Sequence, residues 1–179
     1  VKTCMGRGSK TDRRMTQEGL NQVIERFRKS EFPKVHLIHG NMTNLEVAAL
    51  FKSRVHGYIS ATRGEGYGLP LIEAAASAVP IVATNWSGHL DFLESDFIKV
   101  DYNLEEIPES RIDNRIFIKG AQWAEPKKDS FISGIKNLKE NYEERLKISR
   151  KLKKKVESRF SKEKICKKYD KFLKEEFNL

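Results

Sequence analysis

Apolar residues fall into two alternating rhythms along the first two thirds of this chain. Leu20, Val23, Ile24 and Phe27 recur at helical spacing, as do Leu45, Ala48, Ala49 and Phe51. Between and after them lie short continuous apolar runs at residues 35–39, 56–60 and 80–83, the pattern of buried strands. The reading is therefore a strand at residues 1–6, a charged loop at 10–15 and a helix opened by Thr16 as N-cap. After the break at Pro33 come the 35–39 strand, turned by Gly40, and a second helix capped by Thr43 or Asn44. The 56–60 strand, a helix over 70–78, the 80–83 strand and a loop with a short helix over 84–91 complete the repeat. From 95 to 125 the pattern weakens, with short strands expected near 97–100 and 116–118.

Strands separated by helices imply βαβ units and a parallel sheet, with the loops after each strand gathered on one edge. The predicted class is α/β, a Rossmann-like parallel sheet with helices on both faces and a helical C-terminal tail. Beyond Pro126 the residues Phe131, Ile135, Leu138, Leu146, Ile148, Leu152 and Val156 mark helices, and Ser161 caps a last one ending near Phe177. The expected division is a body over 1–126 and packed helices over 127–179.

Charge sharpens this division. Residues 1–126 hold 16 Lys+Arg against 16 Asp+Glu, whereas residues 127–179 hold 18 against 9, which is the whole net charge of +9 (18 − 9). The basicity belongs to the tail. No apolar run is long enough to span a bilayer. Cys4 and Cys166 stand far apart without metal-ligand spacing and are expected to be free, buried thiols of a reducing cytoplasm. The opening VKTCMGRGSK has neither an initiator Met nor the apolar core of a signal peptide, and is expected to continue from sequence upstream.

The chemistry concentrates at residues 59–91. Gly64, Gly66 and Gly68 alternate with Arg63, Glu65 and Tyr67, then Leu69-Pro70 opens a helix carrying Glu73. Glycines let a ligand approach backbone without a Cβ in the way. Pro70 suits the first helical turn, and Leu69 has no side chain able to cap it, so first-turn N–H groups and the helix dipole would offer an anion seat. Arg63 can fork onto a phosphate, while the Glu65 and Glu73 carboxylates can accept from sugar hydroxyls.

The string EGYGLPLIEAAASAVPIVAT, residues 65–84, closely resembles the nucleotide-sugar motif of retaining glycosyltransferases with the GT-B fold, particularly family 4 (glycosyl transferases group 1). Glu65 and Glu73 form its E-x7-E pair, with Tyr67 where Phe is usual and Thr62-Arg63 where Ser-Arg is usual. VHLIHGNMTNLEVAALFKS before it and AQWAEP after it match less sharply. The likeness covers only that family's C-terminal, donor-binding half. It implies a nucleotide-diphospho-sugar donor, with Glu65 and Arg63 catalytic. Gly64, Gly66, Tyr67, Gly68, Leu69 and His89 would hold sugar and diphosphate, Glu73 the ribose, and Gly40 and Asn41 the base. It implies no cofactor and no metal, and no Asp-x-Asp pair occurs. The acceptor, a carbohydrate, lipid-linked or protein group, would be bound with an N-terminal domain outside this chain.

Three departures accompany the likeness. The strand and helix that open the family's domain are expected to precede Val1; Lys10, Arg13 or Arg14 would have to replace their cations, although a solvated charge run is the simpler reading. Ser87-Gly88-His89-Leu90-Asp91 stands where the family has Gly-Gly-x-x-Glu. An α-glucan-synthase-like enzyme is an alternative within sugar chemistry. In a different class, the Lys-rich tail suggests a membrane-surface or nucleic-acid module. It lacks interleaved aromatics and a groove-reading motif, which disfavours nucleic acid. An anionic membrane surface suits it better, and the expected location is cytoplasmic, peripheral to such a surface at most.

Overall fold

The structure is a computed structural model describing residues 1–4, 6–28 and 30–177. The chain divides into two compact units, Val1–Val47 and Ala48–Leu179.

In the first unit, strands β1 (Lys2–Thr3) and β2 (Ile38–His39) pair in parallel, and Met5 of the expected first strand lies outside the described residues. Helix α1 spans Lys10–Phe27, so the charged stretch at 10–15 is its first turns and not a loop. The N-cap is Ser9, not Thr16. Its hydroxyl receives the Asp12 N–H, while the Asp12 carboxylate takes the N–H groups of Ser9 and Arg7. That capping box satisfies the helix start, and Lys, Arg and Met are good helix formers, so a charge run propagates it. The Ser9 hydrogen bonds hold the Asp12 carboxyl below its ordinary range. Lys10, Arg13 and Arg14 are exposed, with Arg14 beside Glu18 one turn on. A second box, Thr43 with Glu46, starts α2 (Asn44–Arg54).

The second unit contains a three-stranded parallel sheet in the order β3 (Tyr58–Ser60), β4 (Ile81–Thr84), β5 (Ile98–Val100). The parallel pairing is as expected, but in two sheets, not one. Every residue of β4 is buried, as in a central strand covered on both faces. Helix α3 (Leu69–Ala76) follows β3, and α4 (Leu90–Leu93) follows β4. Leu71, Ala74 and Ala75 give α3 an apolar face, and α6 (Tyr142–Phe160) packs along that helix. On the sheet, Val82, Ile98 and Val100 form a cluster that Phe131 and Leu138 of α5 (Lys128–Glu140) cover. Gly134 lets α5 lie close, because a Cβ there would stand 3.0 Å from Val82 and 3.3 Å from Ile98.

Between β5 and α5 the chain makes an antiparallel hairpin, β6 (Tyr102–Glu106) with β7 (Gln122–Pro126). Residues 116–118 are therefore no strand. They belong to the connection, where one Asp113 carboxylate oxygen accepts the N–H groups of Arg115, Ile116 and Phe117. Three donors on one oxygen tighten this turn, which leaves no backbone there for a ladder.

Helix α7 (Lys162–Phe177) follows α6 and has no buried residue. Cys166 on it is exposed, as is Cys4, so the expectation of buried thiols is corrected. Among the described residues no helix is long and apolar enough to cross a membrane. Filling the space at Gly134 should cost about 1–3 kcal/mol, the usual range for overpacking. Gly134→Val is thus expected to lower the urea midpoint without changing the slope.

Candidate functional site

Three chain segments leave the same edge of the parallel sheet: residues 61–68 after β3, 85–89 after β4, and the hairpin after β5. They enclose a cleft of about 580 Å³. Arg63, Gly64, Glu65 and Gly66 form its lip, Trp86 and Ser87 line it from the second loop, and Phe117 and Trp123 line it from the hairpin. Two loops and a hairpin converge there because parallel strands send their following loops to one side.

The first two loops are tied through the Ser87 hydroxyl and one backbone hydrogen bond. The Glu65 N–H donates to the Ser87 hydroxyl at 2.9 Å, and that hydroxyl donates to the Glu65 carbonyl at 2.6 Å. The Gly88 N–H also reaches the Glu65 carbonyl at 3.2 Å. A Cβ on Gly88 would overlap the Gly66 carbonyl, so only glycine permits this approach. Ser87 itself takes φ +89°, the left-handed region. A glycine, as in the resembled pattern, would adopt that angle without strain; here the bridging hydroxyl offsets it.

Gly68, at φ +87°, is the N-cap of α3, and no side chain caps the helix. The first turn is less bare than the sequence suggests. Leu71 and Ile72 both donate to the Gly68 carbonyl, and Pro70 has no N–H. Leu69, two thirds exposed, is the remaining first-turn residue.

Of the residues expected to hold sugar and diphosphate, the cleft gathers Arg63, Gly64, Glu65 and Gly66. Tyr67 turns away, its ring 5.3 Å from Phe92 and 6.3 Å from Phe160 of α6. Glu73 is half-buried on α3. Burial first, and then the charges of Glu65 and Glu73, push the Tyr58 hydroxyl above its ordinary pKa, so one phenol at β3 senses both acids. Gly40, at φ +117°, and Asn41 belong to the first unit.

His89 is fully buried, which corrects its expected approach to the phosphates. Its Nε2 lies 2.8 Å from the Thr84 carbonyl, an acceptor, so Nε2 carries the proton. The Nδ1 atom and the nearby Thr84 hydroxyl are buried with no hydrogen-bond partner among the described residues. The ring packs edge-on against Phe97 and below Gly68, whose Cβ would meet the His89 Cβ at 3.2 Å. His89 thus supports the glycine loop from beneath.

Arg63 has partners that the sequence did not disclose. Its Nε donates to Glu125 Oε2 and its Nη2 to Oε1 at 2.9 Å, a bidentate pair. The guanidinium carbon lies 4.5 Å from the Trp123 ring centre, and the Arg63 carbonyl accepts from the Ala124 N–H at 3.0 Å. Hydrogen bonding to Arg63 holds the Glu125 carboxyl below its ordinary range. The signal for this partnership was the resembled AQWAEP string, whose acid lies 62 residues from the arginine.

The tail is tied down by charge as well as by packing. Lys155 meets Asp96 at 2.5 Å and Glu94 at 3.3 Å, and Arg159 meets Glu94 at 2.8 Å. Part of the basic excess is therefore spent within the fold. Among the described residues no group of three or more His, Cys, Asp or Glu is placed to hold a metal ion.

Two outcomes test this geometry. Gly88→Ala should force the two loops apart and lower stability by about 2 kcal/mol or more, as backbone clashes do, read from the thermal midpoint. For the Arg63–Glu125 pair, a carboxyl with a lowered folded pKa adds stability above its unfolded pKa and loses it as pH falls through the folded one. The pair is partly exposed, so Glu125→Gln should remove at most about 1 kcal/mol at pH 7. The difference from the parent should vanish under acid conditions in pH-dependent urea unfolding. No protein-family model matches this chain, and no curated protein matches it.

Proposed function

We propose that this chain is the donor-binding half of a retaining glycosyltransferase, taking a nucleotide-diphospho-sugar and passing its sugar to an acceptor with anomeric configuration kept. The observation that carries this reading is Glu65, which lines, between two glycines, a cleft also lined by Trp86, Phe117 and Trp123. A carboxylate accepts from paired hydroxyls, and aromatic faces cover the apolar side of a sugar ring. The resemblance of residues 65–84 to the nucleotide-sugar motif supplies the rest.

In this reading Glu65 accepts from the donor sugar, and the bare Gly64 and Gly66 backbone admits it. The α3 tip with Leu69 faces the diphosphate, and Glu73 accepts from ribose. Arg63 must exchange Glu125 for phosphate, which is chemically reasonable because both are planar or forked acceptors of a guanidinium. Charge developing on the leaving diphosphate is then met by Arg63 and helix dipoles, with no metal required. Tyr67 and His89 position the loop without touching the donor.

Calorimetric titration against UDP, GDP and ADP, with and without attached sugars, tests the assignment. Glu65→Ala should weaken nucleotide-sugar binding by roughly tenfold while sparing the bare diphosphate. Glu73→Ala should weaken both. Equal losses for Glu65→Ala, or unchanged nucleotide affinity for Glu73→Ala, would contradict those contacts.

A further inference from the structure

The opposite edge of the same sheet carries a second concavity, of about 320 Å³. It lies where the chain enters β3 and β4, so it is remote from the loops that form the glycine-lipped cleft. Lys52 and Arg54 from α2, His56 before β3, and Arg150 from α6 line it, together with Ser77 and Tyr142. Among the described residues, no acidic one lines it. Among the described residues, none of Lys52, Arg54 and Arg150 has a carboxylate within ion-pair distance.

The contrast along α6 gives this weight. Lys155 and Arg159 of that helix are neutralised by Glu94, Asp96 and Asp91. Arg150, five residues before Lys155, instead lines a concavity with other cations. Cations in the last turn of α2 gain from its C-terminal dipole, which accounts for Lys52 and Arg54. Arg150 sits mid-helix and has no such compensation. Bringing three permanent positive charges to one concavity costs free energy that a bound anion recovers. Two guanidinium forks favour a tetrahedral oxyanion over a simple halide. Lys147 and Lys154, exposed three residues before and four after Arg150, extend the positive surface beyond the hollow.

We infer that this hollow is a second binding site, selective for a phosphate-bearing group, either the headgroup of an anionic lipid or a soluble phosphate ester. Its volume, at the small end of ligand sites, suits a single phosphorylated moiety. The inference does not depend on the donor-site reading.

The test uses the chain as it stands, with two probes: glycerol 3-phosphate in solution, and phosphatidylcholine vesicles with and without phosphatidic acid. The doubly substituted Arg54→Gln/Arg150→Gln chain should bind at least about tenfold more weakly than the parent. Arg54→Lys/Arg150→Lys should retain part of the affinity, and Lys167→Gln/Lys168→Gln on α7 should lose far less than the arginine pair. Binding of glycerol 3-phosphate identifies a soluble ligand; binding only to phosphatidic-acid vesicles identifies a lipid. Equal losses from the α7 pair and the arginine pair would overturn the site, as would a parent that binds neither probe. Titration of the same variants with nucleotide diphosphates reports separately on the glycine-lipped cleft and should be unchanged.

Discussion

Two loops that leave neighbouring parallel strands are held within hydrogen-bond reach of each other by the Ser87 hydroxyl and the bare Cα of Gly88. The position of Glu65 depends on that contact. The two Ser87 hydrogen bonds contribute about 1 kcal/mol each at most, and they hold a residue in a left-handed conformation that serine rarely takes. Strain stored and compensated in this way is common where a protein must present a side chain in one orientation. Beneath it, His89 and Leu71 pack against Gly68, so the loop rests on buried side chains.

Much of this was legible in the sequence. The fully buried β4 was visible as PIVAT, and α3 as an apolar stripe opened by Pro70, because local periodicity reports burial directly. The Thr43 cap and the Ser161 boundary were legible for the same local reason. What escaped detection depended on distant partners. The β6–β7 hairpin carries Glu105 and Glu106, so its alternation is masked by charge, and its strands meet only through the tertiary fold. The true start of α1 was hidden because Lys10, Arg13 and Arg14 look like a solvated loop unless the Ser9–Asp12 box is weighed first.

The site divides along the same line. The glycines and Glu65 could be assigned from one short string, since spacing within a loop fixes which residues share it. The fates of Arg63, Tyr67 and His89 could not, because each is set by a partner outside the loop: Glu125, Phe92 and Thr84. A motif specifies which side chains are available. The neighbours decide which of them reach the opening.

The clasp between Arg63 and Glu125 has a consequence for the electrostatics of the mouth. With its counter-ion supplied by β7, the arginine presents little net charge to an incoming molecule, and the Glu65 carboxylate sets the sign of the lip. A chain with the same glycine loop but a shorter insertion after β5 would expose a naked guanidinium there. The length of a peripheral ribbon can thus set the polarity of an entrance whose own residues never change.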